Sequence, residues 1–334
     1  MPKITAKRAC QAPPVVVIPK VKQVEDDGVG GRFLSIGECM VELSQAGNGL
    51  LRKGFAGDTF NTAWYARACL PEDWSVDYFT ALGDDPLSQD MLAFIADAGI
   101  GTEKIRRIKG GTPGLYLINL KDGERTFSYW RNAAAARQLA ADADHLRKTV
   151  ESADVIYFSG ITLAILASPH DVETFLAELR RAKAAGKPVV FDPNIRPRLW
   201  PDKDTMLETI TNGARAATLV MPSFDDEASH FGDTSVEATI ERYRALGVAN
   251  IVVKDGAKGA TLDFSGERRH APAVEAVDVV DTTSAGDSFN GAFLARYVTG
   301  SSPHDAAVFA ARAAATVIGH HGALISPELL PLVG

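Results

Sequence analysis

The stretch Asp281 to Gly291, "DTTSAGDSFNG", sets the carboxylate of Asp287 behind small and hydroxyl residues and ahead of the apolar run "SFNGAFLARYV". Small residues before such a run predict a tight turn that opens a helix, and the unpaired N–H groups at a helix start attract anions. An acid in that place repels the anion unless its task is to accept a proton. Phosphoryl transfer calls for both parts, a base for the attacking hydroxyl and fixed donors for the charge on the transferring oxygens. Asp287 is the candidate base, and the backbone N–H groups of Ser284, Ala285 and Gly286 are the candidate donors. A second reading needs no chemistry: Asp287 as a cap or first-turn acid that stabilises its helix.

The rest of the composition narrows the ligand. A formal charge of −7 gives no general attraction for nucleic acid or an anionic membrane, so an anionic ligand must be held by local groups. A small-molecule ligand is expected. Cys10, Cys39 and Cys69 are too far apart for a disulfide framework or a paired metal site. No apolar run approaches the roughly 18–20 residues that span a bilayer, and the start does not resemble a secretory signal, so the expectation is a cytoplasmic protein. The phosphate-loop, dinucleotide-binding and zinc-protease signatures are missing.

The elements that must position Asp287 follow from hydrophobic patterning. Residues 1–31, with a Pro-bounded "PPVVVIP" patch, read as a flexible leader, although "VVVI" could add an edge strand. From Arg32 onward, "FLSIGE", "VDYFTAL", "DVIYFSG", "PVVFDPN", "TLVMPS" and "NIVVKDG" are buried-strand candidates. Between them, "HDVETFLAELRRAKAAG" places Val172, Phe175, Leu176 and Leu179 on one helical face and stops at Gly186. Repetition of this pair predicts an α/β fold with a doubly wound, mostly parallel sheet flanked by helices over residues 32–334. Two segments break the alternation. "GLYLINLKDGERTFSYWRN" reads as a hairpin around "KDG", and "MVELSQAGNGLLRKGFAG" has the same turn-rich β character. Together, as segments of about 41–57 and 112–131, they predict a small β-sheet lid.

With "DTTSAGDSFNGAF" near one end and "GFAGDTFNTAWYAR" near the other, the chain resembles the ribokinase-like (PfkB) carbohydrate kinases over about residues 32–330. Within that family, "IGECMVELS", "GERTFSYWRNAAAA", "FDPNIRPRLW" and "DTTSAGDSF" are most similar to the 2-keto-3-deoxygluconate kinases. The resemblance implies ATP-dependent phosphorylation of 2-dehydro-3-deoxy-D-gluconate at its terminal hydroxyl. Mg²⁺ is implied as cofactor, with a monovalent cation as a further candidate, and the chain is expected to form a homo-oligomer.

The resemblance carries over particular residues. Gly57, Asp58 and Asn61 match sugar contacts; Asp58 or Thr59 could equally cap the helix that follows. Arg125, Phe127, Tyr129 and Arg131 alternate onto one strand face. A sugar acid needs its carboxylate neutralised, and a guanidinium does so by a two-pronged hydrogen bond. Arg131 is the first candidate and Arg196, just past a predicted strand end, the second. Tyr116 and Tyr129 would add hydroxyl contacts. For the nucleotide, Lys254, Gly256 and Gly259 match the family's strand–turn–strand, Asn194 matches a phosphate contact, and Ser223 with Asp226 stands where the family has N-x-x-E. Asp226 is the candidate magnesium-side acid, acting through water, with Glu227 as competitor. His320 and His321 are expected to be structural. Two rival functions stand beside this one: a kinase of a neutral sugar such as fructose or ribose, and a sugar-acid sensor of the same fold that has lost catalysis.

Overall fold

The computed structural model describes residues 30–121, 124–275 and 278–331. The first third of the chain contains β1 (Arg32–Ile36), β2 (Met40–Gly47), β3 (Leu50–Ala56), α1 (Asp58–Cys69), β4 (Ser75–Phe79), β5 (Ala81–Leu82), α2 (Pro86–Asp97) and β6 (Arg106–Arg107). The middle contributes β7 (Leu115–Lys121), β8 (Glu124–Trp130), α3 (Ala143–Ser152), β9 (Val155–Ser159), α4 (Gly160–Ile165), α5 (Pro169–Ala184), β10 (Val189–Asp192) and α6 (Lys203–Ala216). The remainder forms β11 (Leu219–Val220), α7 (Phe224–Phe231), α8 (Val236–Ala245), β12 (Asn250–Lys254), β13 (Ala260–Phe264), β14 (Glu267–Ala271), α9 (Ala285–Val298) and α10 (Pro303–Ile318).

Eight strands make the main sheet in the order β14-β13-β12-β11-β10-β9-β1-β4. Its pairs are parallel from β4 to β12, and β13 and β14 add an antiparallel edge. Alternation along a strand feeds two cores. Val155 and Tyr157 face the layer built by α1, α2, α9 and α10, while Ile156 and Phe158 face the layer that holds α3, α5, α6 and α8. Near-continuous apolar runs such as "VIYFS" are what a sheet covered on both faces requires. The chain leaves β1 first toward β4 and afterwards toward β9, so the order reverses at β1. Ligand crevices open outside the carboxyl ends of strands at such a reversal.

The segments expected to form a lid make a small separate sheet in the order β3-β2-β7-β8. The expected hairpin is β7–β8, registered from Leu115↔Trp130 to Lys121↔Glu124. The tip of its turn and the whole "VVVI" patch lie outside the described residues. Helix α5 covers the predicted amphipathic stretch, with Ser168 as its cap.

One expectation fails at α1. Neither Asp58 nor Thr59 caps it; the cap position is Gly57, with no side-chain cap bond. Asp58 is already helical, and Thr59 is buried with its hydroxyl against Tyr78. Gly57 is needed there for close approach, because a Cβ would collide with the carbonyl oxygen of Glu38.

Candidate active site

The two signature stretches meet across the helix pair α1 and α9. Gly291 makes the meeting close: a Cβ at that position would lie 2.6 Å from the Thr62 carbonyl oxygen and 2.8 Å from the Ala66 nitrogen. The first turns of both helices therefore face the same point. Asn61 Nδ2 donates to Asp287 Oδ2 at 2.8 Å, and Asn194 Nδ2 donates to Asp58 Oδ2 at 2.7 Å. Asp287 and Asp58 are thus aimed into one cleft, each with an amide fixing one carboxylate oxygen. Burial first and the charge of Asp58 second push the Asp287 carboxyl up, the Asn61 bond opposes them, and the balance stands at about 7. Burial raises Asp58 as well, against hydrogen bonds from Ser159 and Asn194.

In front of Asp287 the backbone forms the expected turn. Ser284 takes the N-cap position in the left-handed region (φ 65°), without a side-chain cap bond. Asp281 braces this loop by accepting from Thr283 N at 3.0 Å and Gly322 N at 2.8 Å. Not all three expected donors point outward: the Ala285 N–H bonds to the Thr282 carbonyl at 3.3 Å. Among the described residues the N–H groups of Ser284 and Gly286 take no partner, and the buried Ser284 hydroxyl has none either. Three donors around one small volume suit an anion.

Tyr116 and Tyr129, expected on the sugar side, belong to the small sheet, and Arg131 follows directly after it. Tyr116 is buried and donates to Glu42, and its ring packs with Phe127 and the half-exposed Tyr129. Arg131 follows them in strand phase and is ion-paired with Glu38, which is almost fully buried. Burial pushes the Glu38 carboxyl up although Arg131 opposes the shift. One Glu38 oxygen and the Arg131 Nε lack partners among the described residues. Arg196 sits at the cleft edge, 3.5 Å from Asp226, with its side chain half exposed.

On the nucleotide side, the predicted residues divide. Gly256 and Gly259 form the turn between β12 and β13 with positive φ values, and Ser223 bridges to Lys254. Asn194, expected at the nucleotide phosphates, donates to Asp58. Lys254 turns into the protein rather than out along the turn, and its Nζ donates to Asp192 at 2.8 Å and to Asn290 at 3.1 Å. Asp226 and Glu227 point in different directions. Glu227 is buried on the far side of α7 with Tyr243 at 2.9 Å and Arg242, whereas Asp226 faces Arg196 and the cleft. Among the described residues no cluster of His, Cys, Asp and Glu could cage a metal by itself. The donor set at Asp226 fits an Mg²⁺ that arrives with phosphates, which needs only one or two protein carboxylates and keeps several waters. Cys39 and Cys69 are buried and unpaired, and the His320 ring bonds to the Thr316 carbonyl, as a structural role requires.

Sequence reasoning missed Glu38, Asp192 and Asn290. Each had a signal in being a polar residue inside an apolar run, as in "VVFD" or "SFNGAFL". Their partners lie far away in the chain, so the signal has no local reading.

A buried aspartate behind a turn with unpartnered N–H groups, a doubly wound, mostly parallel sheet and a small separate sheet are the architecture of the ribokinase-like sugar kinases. The chain belongs to the pfkB family of carbohydrate kinases, whose family model matches residues 32–329. It is 41% identical over 303 residues to a 2-dehydro-3-deoxygluconokinase of Dickeya dadantii, covering 89% of this chain and 97% of that one. A 2-dehydro-3-deoxygluconokinase of Escherichia coli K12 is 41% identical over 307 residues, with coverage of 89% and 97%. Among solved structures, a PfkB protein from Polaromonas sp. JS666 superposes with a TM-score of 0.79 at 24% identity, over 90% of this chain and 99% of that one, a likeness of fold. Among the described residues no helix is long and apolar enough to cross a membrane.

Proposed function

We propose that this carbohydrate kinase transfers the γ-phosphoryl group of ATP to the terminal hydroxyl of 2-dehydro-3-deoxy-D-gluconate, giving the 6-phosphate. The observation that carries the reading is Asp287 fixed by Asn61 in the first turn of α9, directly behind N–H donors that have no partner among the described residues. Asp287 takes the proton of the attacking hydroxyl, and the donors at Ser284 and Gly286 stabilise the transferring oxygens. The choice of sugar acid is supported by the relatives' names and by Arg131, whose buried and unpartnered Nε offers a substrate carboxylate a donor. Arg196 is the second guanidinium, and Gly57, Asp58, Asn61, Tyr116 and Tyr129 complete the sugar side. Gly256, Gly259 and Ser223 line the nucleotide side. Asp226 would hold Mg²⁺ through water, and the ion would neutralise phosphate charge.

Turnover measured with 2-dehydro-3-deoxy-D-gluconate, its C4 epimer, fructose and ribose tests the substrate. Turnover of fructose with none of the keto-deoxy acids overturns the assignment in favour of the neutral-sugar rival. Asp287→Asn should retain sugar-acid and ATP binding while kcat falls by about 10²–10⁴-fold, the usual contribution of a positioned general base. Undiminished turnover would remove Asp287 from its role.

A homo-oligomer built through the lid belongs to the same reading. Leu50 is 67% and Trp130 59% exposed on that sheet, and a second copy would cover them. Sedimentation of Trp130→Glu beside the wild type checks it; an unchanged oligomer moves the interface elsewhere.

A further inference from the structure

The centre is rich in negative charge. Asp58, Asp192, Asp226 and Asp287 all bear on one cleft, and a phosphoryl group must enter it. The Lys254 ammonium, largely enclosed, stands among them. The Lys254 side chain, at the end of β12, is 11% exposed and that of Asp192, at the end of β10, is 5% exposed. Asp192 Oδ2 also accepts from Asn290 Nδ2 at 2.6 Å, and Asn290 in turn donates to the Tyr157 hydroxyl at 3.1 Å. The ammonium is therefore held from β10 and α9 at once. Its position is specific: a Cβ built on Gly286 would lie 3.6 Å from Nζ, so the charge rests beside one of the donors of the phosphate turn. An ammonium has three hydrogens, and Asp192 and Asn290 account for two.

We propose that Lys254 is a catalytic residue whose remaining N–H contacts the transferring phosphoryl oxygens beside Gly286, and that Asp192 and Asn290 are positioning residues that hold it there. This rests on the phosphoryl-transfer role of Asp287 and the α9 turn stated above. A lysine that only bound nucleotide at the β12–β13 turn would resemble Lys258, exposed and tied to Asp255 at the surface. Lys254 instead lies inside, where low dielectric strengthens a fixed charge and no reorganisation is needed as charge moves to the transferring oxygens. The lysine exchanges no proton with the substrate.

The test uses the full chain and whichever sugar the wild type phosphorylates, so a wrong substrate assignment appears in the wild type and leaves the lysine measurement readable. Lys254→Met should lower kcat by about 10²–10³-fold, as loss of one donor to a developing oxyanion does. Its affinity for ADP should stay near that of the wild type, while affinity for ADP with aluminium fluoride and sugar, a mimic of the transferring group, falls with kcat. Propylammonium added to Lys254→Ala should restore part of the rate. Because Lys254→Met strands a buried carboxylate, the double variant Lys254→Met with Asp192→Asn removes both charges and serves if the single variant misfolds. Asp192→Asn alone should lower kcat less than Lys254→Met and leave the KM for ATP unchanged. A raised KM for ATP with unchanged kcat in Lys254→Met would overturn the proposal. So would a folded double variant with wild-type kcat.

Discussion

Asp287 is held at the edge of its useful range. With its carboxyl pushed up to about 7 by burial and by Asp58, and opposed by Asn61 and Lys254, it is half protonated near neutrality. Catalysis needs the carboxylate, so kcat/KM should drop as pH falls through about 7, approaching tenfold per unit below it. A profile flat from pH 5 to 8 would contradict this. The same shift costs stability. The folded-state value is raised above the unfolded one, so the protonated fold is favoured: the stabilising contribution is complete below about pH 4 and is lost as pH rises through about 7. Asp287→Asn should therefore melt above the wild type at pH 8, with the gap closing toward pH 5. Ser284 bears a second local cost. A side chain in the left-handed region costs about 1–2 kcal/mol, and this one caps nothing and leaves its hydroxyl unpaired. Ser284→Gly should stabilise the protein by about that amount in denaturant unfolding. None of this strain could be read from "TSAG", because the backbone angle is set by the turn and by the Asp281 brace.

At the scale of elements, the site is a product of how α1 lies on α9. The periodicities of the strands and of α5 made the layers legible, since apolar runs bounded by turn residues depend only on local sequence. The contact between the two signature helices was not legible as geometry, because it joins Thr62 to Gly291. That glycine is where it can be tested. Gly291→Ala would force the α1 backbone away from α9, draw Asn61 off Asp287, and cost about 1–3 kcal/mol as an overpacked core does. Stability and kcat should fall together, and a loss of stability with kcat intact would show that the helices carry Asn61 and Asp287 along. The cap of α1 was misassigned for a related reason: Gly57 is chosen by the Glu38 carbonyl above it, which capping preferences of Asp and Thr do not include. Lys254, Asp192 and Asn290 come from β12, β10 and α9, so only the completed sheet order makes them a group.

For the whole molecule, the decisive relation is between the main sheet and the lid. The chain passes between them near Glu38, Gly57, Gly114 and Arg131, and these passages converge. Gly57 packs under the Glu38 carbonyl, and a Cβ on Gly114 would meet the Glu38 carboxylate at 2.5 Å and the Arg131 Cβ at 3.2 Å. The small sheet thus has a single axle, and the Glu38–Arg131 pair is its pin. A plate held at one such point is expected to move as one body rather than to peel strand by strand. Glu38→Gln should loosen the pin, and amide exchange should then quicken together at residues 37–40, 56–57, 112–115 and 131–134 while β2 and β7 stay protected. Faster exchange confined to one passage would mean that the four are sprung separately. If Arg131 holds the sugar acid as proposed, the residue paired with it sets how far the plate can turn as well as how the guanidinium is aimed, and grip and closure would share one pivot.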